Sequence, residues 1–373
     1  MIQPNISPES TITAYRLAAA GLPARIASGL LQQAKDPVSL LQNPMEYIGC
    51  AGLTDRMAER LADRSLTPDE RHLKWMVANQ VHLLLITEPD YPRNLKEIPD
   101  PPPVLFVRGR IDEKDRFSVA VVGSRNASPY GRSVTERIVK DLAAAGLTIV
   151  SGGAIGIDAI AHRAALAVEG RTLVVLGCGL NIAYPQSNTD IFQQVVNMDA
   201  GALISEFPLD SGPDAWRFPM RNRIISGLSQ ATLVTEAPQQ SGSLITAGIA
   251  AEQGREVMAV PGNIDRAGAK GSNLLIKDGA TLVETADDVL QVLGIMQLKP
   301  APNSDSASKQ RQSSNLPVEQ RRILECLSLT PKHMDALAIE ARLSGVEVAV
   351  ELTQLELAGL VRRLPGNTFI RVL

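Results

Sequence analysis

The sequence predicts an α/β protein: an extended Rossmann-like core with a mostly parallel sheet, flanked by a small N-terminal helical domain and a C-terminal winged-helix domain. Three observations carry this. Between Phe117 and Leu293, short uninterrupted apolar runs alternate with amphipathic segments and are punctuated by glycine, the pattern of βαβ units covered on both faces. Before Asp63 the apolar positions follow helical spacing with no strand-like run. From Pro300 to Leu316 the stretch PAPNSDSASKQRQSSNL offers almost nothing to bury, and a helical pattern resumes after it.

At 373 residues the chain exceeds one ordinary domain of roughly 100–200 residues. The expected divisions are a SAM or helix-hairpin-helix-like domain over 1–66, the Rossmann-like core over 67–294, a flexible linker over 295–316 and the winged helix over 317–373. In the first, Leu17, Leu22, Ile26, Leu30 and Leu31 mark helices broken by Gly21 and Pro23. Ile48 to Leu53 sets Gly49 and Gly52 between helical segments. Plain helical packing and a backbone contact to phosphate both fit that spacing.

Strands are expected at Val81–Ile86 and Val104–Val107, on either side of a loop from Pro89 to Pro103 whose prolines cannot serve a central ladder. Seven more follow at Val119–Val122, Leu147–Val150, Leu173–Leu176, Ala202–Ile204, Thr232–Val234, Val257–Val260 and Thr281–Val283. Beyond the linker, Pro317–Leu329, His333–Ala341 and Val346–Ala358 read as helices, and Gly359–Leu373 as a hairpin around Pro365-Gly366-Asn367. The charges there are nearly balanced, so a protein-binding, structural or DNA-reading wing all remain open.

Composition narrows the function. No apolar run approaches the roughly 20 residues that span a bilayer, and MIQPNISPES does not read as a secretory signal. A cytoplasmic location without membrane association is expected. The three cysteines and four histidines are scattered, so no metal site is expected. A net charge of −3 argues against a generic electrostatic nucleic-acid binder, and any such site must be local. Gly152-Gly153-Ala154-Ile155-Gly156 lacks the dinucleotide fingerprint order and no Walker lysine motif is present, so no cofactor is expected.

In an open parallel sheet, ligands bind beyond the carboxyl ends of the strands. Gly123-Ser124-Arg125, Ser151-Gly152-Gly153, Gly177-Cys178-Gly179, Ser205-Glu206-Phe207, Ser241-Gly242-Ser243 and Pro261-Gly262-Asn263 all follow strands. Small residues there admit a ligand to main-chain amides and to the positive ends of helix dipoles. Between Arg217 and Arg223, three arginines and Phe218 fall within seven residues, beside Asn222. Guanidinium groups bind phosphate bidentately and stack on bases, and Tyr130, Tyr184, Phe207 and Trp216 lie in or near the same loops. Asp158 and His162, at i and i+4 on one expected helix, are read as sharing a helix-surface hydrogen bond in preference to forming an acid–base pair. Glu206 and Glu236 stand at strand ends and are expected to cap loop amides or hold an arginine.

The order of these motifs is similar to that of the DNA-processing protein A (DprA/Smf) family. The resemblance rests on Val119 to Arg125 with Tyr130-Gly131, Ser151 to Asp158 with Ala161-His162, Tyr184-Pro185, Ser205 to Pro208, Phe218 to Ile225, Glu236-Ala237, Ser241 to Thr246, Arg255 to Val257 and Pro261 to Asn263. It implies a cytoplasmic single-stranded DNA-binding protein, not an enzyme, that protects incoming strands and loads RecA recombinase in natural transformation and homologous recombination. It also implies a homodimer formed through the core. The DNA-binding residues expected are Gly123, Ser124, Arg125, Ser151, Gly152, Gly153, Arg217, Phe218, Arg221, Asn222, Arg223, Ser241, Gly242 and Ser243. Of these, the resemblance implies phosphate contacts for Arg125, Arg221 and Arg223 and a stacked base for Phe218. Ala183, small and uncharged, departs from the basic residue expected at its position. A rival reading, a nucleotide-processing enzyme of the lysine-decarboxylase-like phosphoribohydrolase type, shares the fold, but its PGGxGT loop is absent. A pure interaction scaffold is the third.

Overall fold

The computed structural model describes residues 8–34, 36–295, 317–328, 331–358, 360–364 and 366–371. The expected strands all form and join one nine-stranded sheet. They are β1 (Val81–Leu85), β2 (Val104–Gly109), β3 (Ser118–Val122), β4 (Thr148–Ser151), β5 (Thr172–Val175), β6 (Gly201–Ser205), β7 (Ala231–Val234), β8 (Glu256–Ala259) and β9 (Thr281–Leu282). Their order is β1-β2-β6-β5-β4-β3-β7-β8-β9. Neighbours from β6 to β9 run parallel, while β1 and β2 form an antiparallel pair that adds to β6 in the antiparallel sense. The proline-rich loop between β1 and β2 carries one helical turn, Arg93–Lys96.

Every residue of β3 to β7 is buried, as strands covered by helices on both faces must be. Chain order descends along the sheet from β6 to β3 and then jumps to β7. The reversal between β3 and β7 is a topological switch point, where the loops on either side splay apart and leave a crevice.

The N-terminal helices Pro8–Ala20, Ala24–Gln33, Pro37–Gln42 and Asp55–Ala62 share the apolar core of the sheet. Tyr15 meets Phe106 of β2 edge to face, with ring centres 5.5 Å apart, and stacks on His72 at 5.8 Å. His72 in turn bonds Asp210, 2.8 Å away in the loop after β6. Packing therefore shows no break at residue 66, and these helices belong to the same compact unit as the sheet. Gly49 and Gly52 both take left-handed backbone angles, at φ 85° and 86°.

A second unit contains the C-terminal domain and residues 127–137. In it the helices Val318–Cys326, Met334–Ala341 and Gly345–Leu357 bury Ile323, Leu337, Val348, Leu352 and Leu355 together with Phe369. The strands Lys332–His333, Val361–Leu364 and Thr368–Arg371 complete a winged helix, the last two as the expected hairpin. The expected linker, apart from Ile295, lies outside the described residues. Among the described residues no helix is long and apolar enough to cross a membrane.

One buried polar contact behind the switch point has a measurable consequence. His162, on the helix Ile157–Leu166, is 0% exposed and sits 2.7 Å by Nδ1 from Thr172 Oγ1 on β5. Because that hydroxyl donates to the Ile149 carbonyl at 2.8 Å, the imidazole Nδ1–H must be the donor to it. Nε2 is then left bare, and it has no hydrogen-bond partner among the described residues. Burial, reinforced by the charges of Arg221 and Arg163, holds the imidazole neutral and pushes its pKa down to about 3. The unfolded chain therefore binds a proton that the folded chain refuses between about pH 6.5 and pH 3. The contribution is intact above the upper limit and is lost as pH falls through that window. Urea titrations across it are expected to show His162→Gln losing stability less steeply than the wild type, by about one proton; parallel slopes would contradict a neutral buried imidazole.

Candidate functional site

The loops at the switch point enclose a cleft of about 760 Å³. Gly123 to Asn126, following β3, form one wall, and Ser241, Gly242 and Ser243, following β7, form the other. The two loops are joined where the Ser124 amide donates to the Glu236 carbonyl at 2.7 Å. Ser241 caps the helix Gly242–Glu252, accepting from the Ser243 amide at 3.3 Å, with the two hydroxyls 2.6 Å apart. The positive end of an eleven-residue helix thus opens on the cleft.

Phe218, Arg221, Asn222 and Ile225 of the helix Arg217–Leu228 form a third side, spaced so that one helical face looks inward. Arg221 is only 5% exposed. Its Nη1 donates to the Gly152 carbonyl at 2.7 Å and to the Val175 carbonyl, and its Nε to Asn222 Oδ1 at 3.3 Å. The opposing charge is Asp158, whose carboxylate accepts from the amides of Gly152 at 3.2 Å and Ala154 at 3.3 Å. Burial pushes the Asp158 carboxyl up while Arg221 pulls it down. Burial lowers Arg221 to about 10 against the pull of Asp158.

Glycine is required at two positions here. A Cβ on Gly152 would stand 2.7 Å from Arg221 Nη2 and 2.8 Å from Asp158 Oδ2. At Gly156, with φ of 82°, it would stand 2.3 Å from the Ser124 carbonyl oxygen.

Arg125 is exposed at the mouth of the cleft, and its guanidinium has no hydrogen-bond or ion-pair partner among the described residues. It lies 5.8 Å from the centre of the Phe218 ring, whose other near cation, Arg221, is at 5.9 Å. Tyr184, 42% exposed, tilts against Phe218 at 5.7 Å. These rings and both arginines line a smaller pocket of about 90 Å³ that opens beside Gly152 and Gly177. The result is an open cleft with an exposed cation, a helix N-terminus and half-exposed aromatic faces.

The structure gathers Gly123, Ser124, Arg125, Phe218, Arg221, Asn222, Ser241, Gly242 and Ser243 around the cleft, and Gly152 around its side pocket. Ser151 and Gly153 lie beneath it: the Ser151 hydroxyl is buried on the Val121 carbonyl at 2.6 Å, and the Gly153 carbonyl accepts from Asn188 at 3.0 Å. Arg217 and Arg223 face away. Arg223 is held by Glu206, at 2.6 and 3.3 Å, and by Asp100 at 3.2 Å, because helical rotation carries it to the opposite side from Arg221. Arg217 pairs with Asp214 at 3.3 Å. Arg221 holds the surrounding loops through Nη1 and Nε.

The expected Asp158–His162 hydrogen bond is replaced by separate partners, because both side chains point inward, Asp158 to the Gly152 loop and His162 to Thr172. Glu206 does hold an arginine, as expected. Asn126, Pro213, Ala215 and Gln240 also line the cleft and were not singled out from the sequence. Of these, the position of Asn126 directly after Arg125 was the available signal.

A family model described as DNA recombination-mediator protein A matches residues 82–294, and one described as the DprA winged helix domain matches residues 307–367. Protein Smf of Escherichia coli (strain K12) is 40% identical over 345 residues, covering 92% of this chain and 90% of that protein. The X-ray structure of DNA processing protein A from Streptococcus pneumoniae superposes with a TM-score of 0.65 at 35% identity, covering 77% of this chain and 98% of that one. DNA processing protein A from Helicobacter pylori, a structure described for its single-stranded DNA binding mode, gives 0.51 at 29% identity, covering 57% and 95%.

The two cleft arginines are expected to separate in a stability measurement. Arg221→Met strands the Gly152 and Val175 carbonyls and leaves Asp158 buried without its countercharge, with an expected loss of about 3–5 kcal/mol in urea unfolding. Arg125→Ala, at an exposed position, is expected to stay within about 0.5 kcal/mol of the wild type. Equal unfolding midpoints for Arg221→Met and the wild type would rule out the positioning role.

Proposed function

The chain belongs to the DNA recombination-mediator protein A family, and on that premise we propose that its cleft binds single-stranded DNA. The observation that carries this is the unpaired Arg125 guanidinium beside Phe218 and Tyr184 at the switch point of the sheet. Arg125 holds a phosphate, the amides at the start of the helix Gly242–Glu252 donate to a second, and Phe218 with Tyr184 stacks bases. Gly123, Ser124, Gly152, Ser241 and Ser243 let the strand approach the backbone, and Asn222 contributes a side-chain amide. Arg221, Ser151 and Gly153 act by holding the loops, while Arg217 and Arg223 take no part in this cleft. Aromatic faces and backbone donors accept any base, so little sequence preference is expected. The likeness to the Helicobacter pylori protein supports the same ligand.

A binding role is favoured over nucleotide hydrolysis. Glu206 is engaged by Arg223, and the Glu236 carboxylate faces Gly268, so neither glutamate lines the cleft. In the fuller reading, the protein works in the cytoplasm as a homodimer formed through the core. There it protects incoming single strands and hands them to RecA recombinase during natural transformation and homologous recombination.

Fluorescence anisotropy of a labelled oligothymidylate across a salt series, beside a duplex of equal length, tests the central claim. Binding is expected to favour the single strand and to weaken with salt at a slope of about −0.7 per phosphate contact. Arg125→Ala is expected to bind more weakly with a shallower slope. Loss of neither affinity nor slope in Arg125→Ala would place the strand elsewhere. Retention of RecA on immobilised protein carrying a bound strand checks the handover, and no enrichment over a bare strand would remove it.

A further inference from the structure

The helix Arg217–Leu228 has a second face. While Phe218, Arg221 and Asn222 look into the cleft, Arg217, Met220 and Arg223, with Trp216 just before the helix, line the other side. They line a separate groove of about 590 Å³ whose far wall comes from the first two N-terminal helices and the turn between them, with Leu22 and Pro23. Trp216 is 56% exposed and Met220 is 44% exposed. Such exposure of a large ring at a groove wall needs an explanation, because monomeric surfaces normally bury tryptophan at least in part.

Trp216 is also held in place. It meets Phe207 edge to face, with centres 6.2 Å apart at 86°, and the Arg217 guanidinium lies 4.9 Å from its ring centre. Two cations of this groove are engaged, Arg223 by Glu206 at 2.6 Å and Asp100 at 3.2 Å and Arg217 by Asp214 at 3.3 Å, while a third, Arg60, is exposed at its edge. Asp100 and Glu206 line it too, beside the Phe207 and Trp216 rings, so it suits an uncharged, flat group better than a phosphate. Its position supplies the source of that group. Pro213 and Ala215 line the cleft, and Trp216 is the next residue in the chain, so its Cα stands about 3.8 Å from the cleft wall. A strand leaving the cleft over this edge meets the tryptophan first.

We propose that the groove behind this helix is a second nucleobase subsite, in which Trp216 stacks a base of the same strand whose phosphates occupy the cleft. This inference rests on the single-strand reading above and extends the bound length beyond the cleft. A protein segment seated on Trp216 is the competing occupant. The strand is preferred because the groove adjoins the cleft and its aromatic wall stands next to the residues that line it.

The test uses the full chain and two oligothymidylates: the shortest that the wild type binds measurably, and one several times longer. Trp216→Ala is expected to leave the short one unchanged and to weaken the long one about tenfold, the scale of losing one base–aromatic stack. Trp216→Phe is expected to restore most of that loss. The chain has two tryptophans, Trp75 and Trp216, so in Trp75→Phe the emission reports Trp216 alone and is expected to be quenched by the long strand only. Wild-type affinity for the long strand in Trp216→Ala, equal weakening for both lengths, or unchanged Trp216 emission at saturation would each overturn the subsite. Loss of the short oligothymidylate in Arg125→Ala but not in Trp216→Ala keeps the cleft reading separate. Failure of the wild type to bind either length would remove both.

Discussion

A guanidinium with almost no access to water organises this protein's cleft. Arg221 reaches from the helix Arg217–Leu228 to the carbonyls of Gly152 and Val175, at the ends of two adjacent parallel strands, and stands opposite the buried Asp158. Removing such a charge from water is costly, and the carbonyls and carboxylate must offset that cost together. Asp158 in turn accepts from the amides of the Gly152 loop. Gly152 has to lack a side chain, because the two charged groups occupy the space one would fill. The loop after β4, the end of β5 and one wall of the cleft are consequently positioned as a set.

The arginines of one short run have thereby been given different physical tasks. Arg221 is buried and positions loops, Arg223 is neutralised by Glu206 and Asp100, and Arg217 packs between Phe207 and Trp216. Arg125, from a different loop, is left exposed toward the cleft. This distribution lets a chain of net charge −3 present a local positive charge at the cleft. Asp158 is engaged inward, and Arg125 at the rim meets solvent with no ion-pair partner among the described residues.

Much of the fold was legible because its signals are local. Continuous apolar runs such as Val119–Val122 can be satisfied only by burial on both faces, and the structure buries them so. The three C-terminal helices and their hairpin followed from periodicity and from turn residues near Gly366-Asn367. The loops of the cleft were legible for the same reason, since small residues after parallel strands mark the crevice edge. The union of the N-terminal helices with the sheet was not legible. It depends on contacts such as Tyr15 with Phe106, between segments about ninety residues apart in the chain.

The sequence by itself determined the strands of the large sheet, the switch-point loops and the family, because each is written in short-range pattern and in residue order. Which charged groups face solvent was decided only in three dimensions. Arg221 and Arg223 are two residues apart and chemically identical, yet helical rotation sends one under the Gly152 loop and the other to Glu206. Asp158 and His162 share a helix, yet each finds its partner on a different element. A side chain's protonation and availability depend on burial and on partners remote in sequence, and those distances exist only once the sheet has brought its loops together.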